Sequence, residues 1–317
     1  MKVIEHLRNA KSTLLSFEIL PPLKGKDIRS IYAGIDPLLE FKPSFINVTY
    51  HREEVVYKER GHGLLQKVRL RKRPGTIGIC ATIKVKYDID TVPHLICGGF
   101  SREETEDALI EMNFLGIDNV LALRGDAVKN EGHFIPERDG HVHAVDMIRQ
   151  IASLNQGKYL HDEELEAAPT DLCIGAACYP EKHPEALNLN VDIAYSKAKV
   201  DAGAEYLVTQ MFFDNAKYFQ FVDLCRAAGI TVPIIPGLKP ITNLRHIAFL
   251  PKTFRVDLPD DLAQALVACR TDEAVERVGT EWTAIQSKEL MAKGAPCLHF
   301  YTMGRSKSVG EVAAQLF

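Results

Sequence analysis

Residues Arg102 to Asp126 read REETEDALIEMNFLGIDNVLALRGD, and this stretch contains a complete helix–turn–strand unit. Its first part has the apolar spacing of a helix, and Gly116 is the kind of residue that commonly follows a helix end. Residues 120–123 are apolar throughout, which is typical of a strand in a sheet covered on both faces. Arg124-Gly125-Asp126 follows directly, so chemically capable residues begin where the apolar run stops.

The same alternation of helix-like and strand-like segments recurs along the chain. We predict strands near residues 14–17, 45–49, 93–97, 120–123, 174–178, 206–210, 234–236 and 298–301, and helices that include residues 28–40, 102–115, 142–154, 192–202, 215–228 and 261–293. This order predicts a parallel α/β barrel of the TIM type, in which the carboxyl ends of all eight strands meet on one face. Seven of the strands end in a polar or chemically capable residue, namely Glu18, Thr49, His94, Asp126, Tyr179, Gln210 and Tyr301. We therefore expect the functional site on that face.

Length and composition agree with a barrel of this kind. The chain has 317 residues against roughly 250 for a plain barrel, which predicts one domain, residues 1–317, with a few insertions. Hydrophobic residues make up 46% and charged residues 25%, and no apolar stretch is long enough to span a membrane. The formal net charge of -4 gives no reason to expect nucleic acid as a partner. The start lacks a signal-peptide layout, so we expect a cytoplasmic protein with seven reduced cysteines.

Three segments fall outside the barrel repeat. Residues 76–86 suggest an extra extended segment, such as a hairpin arm, without an assigned role. Residues 155–169, which contain Asp162-Glu163-Glu164, suggest a solvated surface loop. The basic run from Lys67 to Arg73 lacks interleaved aromatic residues, so a solvated helix face is favoured over a nucleic-acid patch.

The motifs of several common enzyme classes are missing. The sequence has no Gly-x-Gly-x-x-Gly turn, no Gly-x-x-x-x-Gly-Lys-Ser/Thr loop and no Gly-x-Ser-x-Gly elbow, which argues against Rossmann, P-loop and α/β-hydrolase sites. Cys173 and Cys178 are too far apart for a Cys-x-x-Cys pair. His94 and Cys97 could contribute to a zinc site, but a buried cysteine and a hydrogen-bonding histidine are favoured. We expect no bound metal.

Glu18 is the first candidate for chemistry, because its carboxylate leaves the first strand among apolar neighbours. Burial would raise its pKa toward neutrality, as a general acid requires. An exposed glutamate at a strand end explains the isolated segment equally well. Pro21 and Pro22 favour the acid, since they stiffen the strand exit.

Two further strand-end loops concentrate polar groups. Arg124-Gly125-Asp126 could be a salt-bridged turn, or it could bind a ligand through the guanidinium donors, the glycine backbone and the aspartate acceptor. The run from Tyr179 to Ala186 combines an aromatic residue with ionisable residues and two prolines. That concentration indicates a ligand-binding loop.

In these and other motifs the chain resembles the methylenetetrahydrofolate reductase family, specifically its short bacterial form, from about Ser16 to Arg305. The motifs are Ser16-Phe17-Glu18 with Pro21-Pro22, Val48-Thr49-Tyr50, Pro93-His94-Leu95, Leu123-Arg124-Gly125-Asp126, Tyr179-Pro180-Glu181 with His183-Pro184-Glu185-Ala186, Lys199-Val200-Asp201-Ala202-Gly203-Ala204, Thr209-Gln210 with Phe212-Phe213-Asp214, Ile234-Ile235-Pro236-Gly237, and His299-Phe300-Tyr301-Thr302. Their order and number carry the resemblance, since no single motif would suffice.

The resemblance implies an FAD-bearing barrel that takes hydride from NADH or NADPH and passes it to 5,10-methylenetetrahydrofolate. Ping-pong transfer would give the 5-methyltetrahydrofolate that feeds methionine synthesis. Glu18 matches the acid that helps open the folate ring, and Asp126 matches the aspartate beside the flavin, also placed to hold the pterin. The resemblance further suggests a homo-oligomer. Because the chain ends at Phe317, no regulatory domain is expected.

Other positions carry over from the resemblance as ligand contacts. The flavin contacts are Tyr50, His94, Arg124, Gly125, Asp126, Ala144, Tyr179, His183, Ala186, Asp192 and Lys199. The substrate contacts are Thr49, Gln210, Tyr301 and Arg305. Without the motif, Asp192 and Lys199 would be interpreted as an ordinary exposed helix pair. The chain departs from the family pattern at residues 51–54, in the long segment 76–86, and at His143 and Tyr195.

Two other functions remain open on the residues alone. A flavin barrel with another substrate, like proline dehydrogenase, would leave Glu18 idle. A non-enzymatic flavin- or folate-binding module would bind flavin that reduced nicotinamide does not bleach.

Overall fold

A barrel of parallel strands forms the centre of the protein, whose computed structural model describes residues 1–127, 132–161 and 168–317. The strands are β1 (Leu14–Ile19), β2 (Phe45–Val48), β3 (Glu54–Glu59), β4 (Leu65–Leu70), β5 (Asp90–Ile96), β6 (Asn119–Leu123), β7 (Cys173–Cys178), β8 (Tyr206–Thr209), β9 (Ile234–Ile235), β10 (Gly237–Leu238) and β11 (Cys297–Tyr301). Within the described ranges, nine of them form one sheet in the order β10-β11-β1-β2-β5-β6-β7-β8-β9. β3 and β4 form a separate antiparallel hairpin.

β9 and β10 together fill the eighth strand position and nearly close the barrel. Pro236 separates them, because proline has no N–H to donate to a ladder. On one side the Leu207 N–H donates to the Pro233 carbonyl at 2.9 Å, and on the other the His299 N–H donates to the Pro236 carbonyl at 3.1 Å. The predicted TIM-type barrel and its eight strands are therefore confirmed.

Helices surround the barrel. They are α1 (Val3–Asn9), α2 (Arg29–Ile35), α3 (Thr76–Tyr87), α4 (Arg102–Phe114), α5 (Ala144–Leu154), α6 (Leu189–Asp201), α7 (Asn215–Ala227), α8 (Leu244–Phe254), α9 (Asp260–Ala268), α10 (Asp272–Ala292) and α11 (Lys307–Ala313), with a 3-10 helix at Asp36–Phe41. The predicted helices that became α4, α5, α6 and α7 are confirmed, and the one at residues 28–40 is α2 followed by the 3-10 helix. No helix in the described ranges combines the length and apolar character needed to cross a membrane.

Residues 76–86 belong to α3, so the predicted extended segment is wrong. The β-branched residues of this segment have high strand propensity. Thr76, Ile79, Cys80 and Ile83 nevertheless share one helical face, and all four are buried. Packing of this face into the core between strands and helices outweighs the local propensity.

The hairpin lies earlier in the chain, in β3 and β4. The basic run from Lys67 to Arg73 therefore starts in a strand, and the prediction that it forms a helix face is wrong. Its side chains are nonetheless mostly exposed, because a two-stranded hairpin has no second layer to cover it.

The long predicted helix over residues 261–293 is also wrong, because it is divided into α9 and α10. The Thr271 side chain caps α10 by accepting the Ala274 N–H at 3.2 Å. In the predicted surface loop, residues 155–161 and 168–169 form no helix or strand. Its acidic run, Asp162-Glu163-Glu164, lies outside the described residues.

Helix α1 covers the amino-terminal end of the barrel and packs its apolar side chains inside. Val3 and Ile4 of α1 pack with strand residues that include Phe45 and Val92. The Val3 N–H also donates to the Asn119 side chain at the start of β6, at 2.7 Å. Because α1 covers this end, the carboxyl end of the strands is the open face for a site.

A capping box fixes the start of α4. Ser101 Oγ accepts the Glu104 N–H at 3.2 Å, and the Glu104 carboxylate accepts the Ser101 N–H at 2.7 Å. Ser101→Ala removes the first bond, so the free energy of unfolding should fall by about 1 kcal/mol. Urea denaturation measures the loss, and Ser101→Asn should recover most of it because asparagine also caps helices. An equal loss in both variants would contradict this role.

Candidate functional site

Side chains from several strands converge at the carboxyl end of the barrel. Glu18 pairs in register with Tyr301 on one side and with Asn47 on the other. Residues in one row of neighbouring parallel strands project to the same face, so these side chains meet at the barrel mouth. The Tyr301 hydroxyl donates to the Thr209 carbonyl at 2.6 Å. The Tyr301 side chain passes so close to Gly237 that only glycine fits there, because a Cβ would lie 2.6 Å from the tyrosine ring.

Glu18 has the environment of a buried acid. Its side chain is 14% exposed, and its carboxyl group lies 3.5 Å from His94 Nε2. Burial raises the pKa of Glu18 to about 8, although the charge of Lys239 opposes the rise. Burial lowers the pKa of His94 to about 3, with smaller contributions from His299 and His51, so the contact joins two neutral groups near pH 7. The alternative of an exposed strand-end glutamate is therefore wrong.

Buried polar side chains lie beside and beneath Glu18 inside the barrel. Asn47 Nδ2 donates to His94 Nε2 at 3.2 Å, and Ser16 Oγ lies 2.9 Å from His299 Nδ1. His94 is thus the hydrogen-bonded histidine that the sequence favoured, and Cys97 is a buried thiol that donates to a backbone carbonyl at 3.4 Å. Across the described ranges, no group of three or more His, Cys, Asp or Glu side chains is placed to hold a metal ion.

Arg124 is held by the loop after β7 rather than by its neighbour Asp126. Its guanidinium donates two hydrogen bonds to the Glu185 carboxylate, at 2.5 and 2.8 Å, and lies over the Phe134 ring at 5.1 Å. Gly125 has a φ of +84°, a conformation that favours glycine. The salt-bridged turn considered from the sequence is not formed, and Asp126 is exposed at the mouth.

Two charged residues of α6 bond β7 and the loop after it. Asp192 is 2% exposed and accepts the His183 N–H at 2.8 Å, and Lys199 donates to the Ala177 carbonyl at 2.8 Å. Burial raises the pKa of Asp192 and lowers the pKa of Lys199. The ring of Tyr179 packs edge-on against His183 with centroids 4.7 Å apart. An exposed helix pair is therefore the wrong interpretation of Asp192 and Lys199.

The remaining predicted contact residues follow strands at the same end of the barrel. The Tyr50 ring lies 5.0 Å from the Phe100 ring, and Gln210 Oε1 accepts the Met211 N–H at 2.9 Å. The others lie after β2, β6, β7 and β11, and they are Thr49, Ala144, Ala186 and Arg305. The two alanines are buried, whereas the arginine is exposed.

Lys239 is a site residue that the sequence interpretation missed. It follows β10 at the mouth, is 4% exposed and donates to the Tyr301 carbonyl at 3.4 Å. Burial lowers the pKa of Lys239 to about 8, the Arg305 cation acts in the same direction, and Glu18 opposes the change. The sequence offered one signal. Lys239 comes directly after a buried strand, and no polar residue had been proposed for the end of that strand.

Known proteins match this chain over nearly its whole length. A family model described as methylenetetrahydrofolate reductase matches residues 2–317. The 5,10-methylenetetrahydrofolate reductase of Pectobacterium carotovorum is 30% identical over 294 residues, which cover 92% of this chain and 86% of that protein. A rice protein named probable methylenetetrahydrofolate reductase (NADH) is 30% identical over 321 residues, which cover 97% of this chain and 49% of that protein. The chain thus spans about half the length of the plant relatives and most of the length of the bacterial ones.

A solved structure supports the fold. The protein is from Clostridium thermocellum and is described as binding two copies of 5-methyl-5,6,7,8-tetrahydrofolic acid. It superposes with a TM-score of 0.60 over 98% of this chain and 96% of that chain, at 15% sequence identity. At this identity the similarity concerns the fold alone.

Proposed function

The chain belongs to the methylenetetrahydrofolate reductase family, and from this premise we propose that it reduces 5,10-methylenetetrahydrofolate to 5-methyltetrahydrofolate by ping-pong hydride transfer through FAD. A reduced nicotinamide is the hydride donor, and the product feeds methionine synthesis. Relatives carry names that specify NADH in rice and NADPH in Caenorhabditis elegans, so both donors need testing. We propose that residues 1–317 act as one catalytic domain in a cytoplasmic homo-oligomer.

The observation that carries this proposal is a buried carboxyl group at the barrel mouth, Glu18, which lies 3.5 Å from His94 Nε2. With a pKa of about 8, Glu18 holds its proton at pH 7, at the end of the barrel where a substrate can reach it. Opening the five-membered ring of methylenetetrahydrofolate breaks a C–N bond and requires a proton on the departing nitrogen. Glu18 would supply that proton from its carboxyl group. The ring-opened substrate is then an iminium, which accepts hydride at carbon.

The donors around β6 and β7 suit FAD. The dinucleotide has a pyrophosphate, and Arg124 after β6 and Lys199 on α6 provide cationic donors beside the loop that carries the His183 imidazole. The conformation of Gly125 and the packing of Tyr179 on His183 give these loops a defined shape. When bound, the flavin would carry the hydride between the two substrates. Tyr50, His94, Asp126, Ala144, Ala186 and Asp192 complete the flavin contacts that we propose.

The substrate contacts would lie around the same mouth. The Gln210 side-chain amide can bond either the pterin or the nicotinamide, and Asp126 can accept hydrogen bonds from the pterin. Arg305 is exposed at the rim, which suits a contact with the carboxylates of the folate glutamate tail. Tyr301 lies beside Glu18 in the sheet, and Thr49 directly follows β2, the strand on the other side of Glu18. Both would border the reacting end of the folate.

An anaerobic visible spectrum of the purified protein tests the proposal. We expect flavin absorption bands that bleach when NADH or NADPH is added and return when methylenetetrahydrofolate follows. Each half-reaction should occur without the other substrate, because ping-pong transfer separates them. Comparing the bleaching rates with the two nicotinamides identifies the donor.

Two results would contradict the proposal in different ways. Bleaching that methylenetetrahydrofolate does not reverse would indicate a flavin barrel with another acceptor. Flavin that neither nicotinamide bleaches would favour the binding module.

A further inference from the structure

We propose that Lys239 is a positioning residue for the acid chemistry of Glu18, because its ammonium group provides the buried counter-charge that stabilises the Glu18 carboxylate once the proton has left. This inference rests on the function proposed above, since it assigns another residue to the same site. Lys239 acts through Glu18 and needs no contact with either substrate.

Lys239 and Glu18 lie on either side of Tyr301 in one row of the sheet. β10 pairs with β11 so that Leu238 lies beside Phe300, and the next step along both chains places Lys239 beside Tyr301. Tyr301 in turn pairs with Glu18. Adjacent strands are about 4.8 Å apart, so two strand spacings, about 10 Å, separate the two backbones. A lysine and a glutamate side chain can bring their charges much closer than that.

The ammonium group has hydrogen-bonding capacity to spare. Lys239 is 4% exposed, so water supplies little of the solvation that its charge requires. Among the described residues, the Tyr301 carbonyl is its hydrogen-bond acceptor, at a long 3.4 Å. An ammonium has three N–H donors. Glu18 is the acidic group whose charge acts on this cation, so a carboxylate that forms there can stabilise it.

The charges at the mouth support the same pairing. The groups that act on Lys239 or Glu18, or respond to their charge, are Arg305, His246, His94 and Tyr301. Burial lowers the pKa of His94 and His246, so near pH 7 both are neutral. The Arg305 cation disfavours the charge on Lys239, whereas Glu18 favours it. Glu18 is therefore the group at the mouth whose ionisation relieves the buried positive charge.

The proton balance of the acid step follows from this pairing. Before the step the pair is a neutral carboxylic acid and an ammonium ion, with a net charge of +1. The Glu18 O–H bond breaks, an N–H bond forms on the departing folate nitrogen, and the enzyme pair becomes carboxylate and ammonium. Solvent returns a proton to Glu18 later in the cycle. Without the cation, the product of the step would be an uncompensated buried carboxylate.

The test is a direct titration of Glu18. The protein is labelled with carbon-13 at its glutamate carboxyl groups, and the Glu18 signal is the one that Glu18→Gln lacks. We expect Lys239→Met to decrease the acidity of Glu18 by about tenfold or more, because a buried opposite charge that acts on a carboxyl group favours its ionisation by about that amount. Lys239→Arg should restore it, since arginine keeps the charge. Lys252→Met makes the same chemical change on the exposed part of α8 and should leave the titration unchanged.

Unchanged titration of Glu18 in Lys239→Met would overturn the inference. Urea denaturation of the same samples distinguishes charge coupling from a merely structural role of Lys239. A structural role would change the free energy of unfolding but not the pH at which Glu18 titrates. A changed titration supports the charge coupling even in a protein that does not reduce methylenetetrahydrofolate. Failure of the proposed function and failure of this inference therefore give different results.

Discussion

The Glu18→Gln variant is expected to lose the folate half of the reaction while it keeps the nicotinamide half. Glutamine matches glutamate in size, but it has no acidic proton to give to the departing folate nitrogen. Loss of a general acid slows its step by about 10²- to 10⁴-fold. Reduction by the nicotinamide needs no proton from Glu18 and should proceed at the wild-type rate. Rapid-mixing spectroscopy measures both half-reactions on one sample.

The same variant should remain folded. The pKa of Glu18 in the folded protein, about 8, lies above its ordinary value of 4.5. The folded state therefore holds this proton more tightly than the unfolded state does, and wild-type stability falls as the pH rises from 4.5 to about 8. Glutamine does not titrate, so the variant should become more stable relative to the wild type through that window. Urea denaturation at several pH values checks the sign.

A matched control is Glu59→Gln, which changes an exposed carboxylate on the β3–β4 hairpin. Both of its half-reactions should be unaffected. A folate rate in Glu18→Gln within about threefold of the wild type would be too small a loss for a general acid. That result would show that Glu18 is idle and that another group protonates the folate.

The Gly279→Ala variant is expected to lose about 2 to 3 kcal/mol of unfolding free energy. Gly279 lies in α10, where the helix meets the segment that follows β10. A Cβ at this position would be 2.0 Å from the carbonyl oxygen of Ile241 and 2.7 Å from its backbone nitrogen. Both atoms belong to the backbone, so no side-chain rotation relieves the overlap. Urea denaturation measures the change.

Gly78→Ala is the matched comparison, because it makes the same substitution in another helix, in the first turn of α3. A Cβ at Gly78 has no heavy atom within 4 Å. Alanine should therefore stabilise the protein by about 0.5 to 1 kcal/mol through helix propensity alone. If Gly279→Ala were equally stabilising, the contact between α10 and Ile241 would not be as tight as described.

Local sequence patterns were sufficient to predict most of the fold. Strands of a parallel barrel are buried on both faces, so each leaves a short apolar run such as residues 120–123, and all eight were recognised. Local patterns predicted the wrong element where two physical effects competed. In residues 76–86, strand propensity concealed a buried helical face made by Ile79, Cys80 and Ile83. At residues 269–271, the capping residue Thr271 divided an otherwise continuous helical pattern.

Local sequence patterns could not predict which residues the site residues contact. Arg124 bonds Glu185, 61 positions further along the chain, although Asp126 is closer in sequence. Asp192 and Lys199 have the spacing of an exposed helix pair, but they bond the loop and the strand beside them. Lys239 carried no motif at all, and only the structure shows that it is buried and that the charge of Glu18 acts on it.

The sequence by itself determined the barrel and the face on which chemistry can occur, because apolar runs and their polar ends are local features of the chain. Only the tertiary structure decided that Glu18 is a buried acid rather than an exposed carboxylate. It also supplied the neutral His94 and the cation Lys239 as neighbours of that acid. Proton affinity depends on desolvation and on charges brought from distant strands, and these exist only once the barrel has closed.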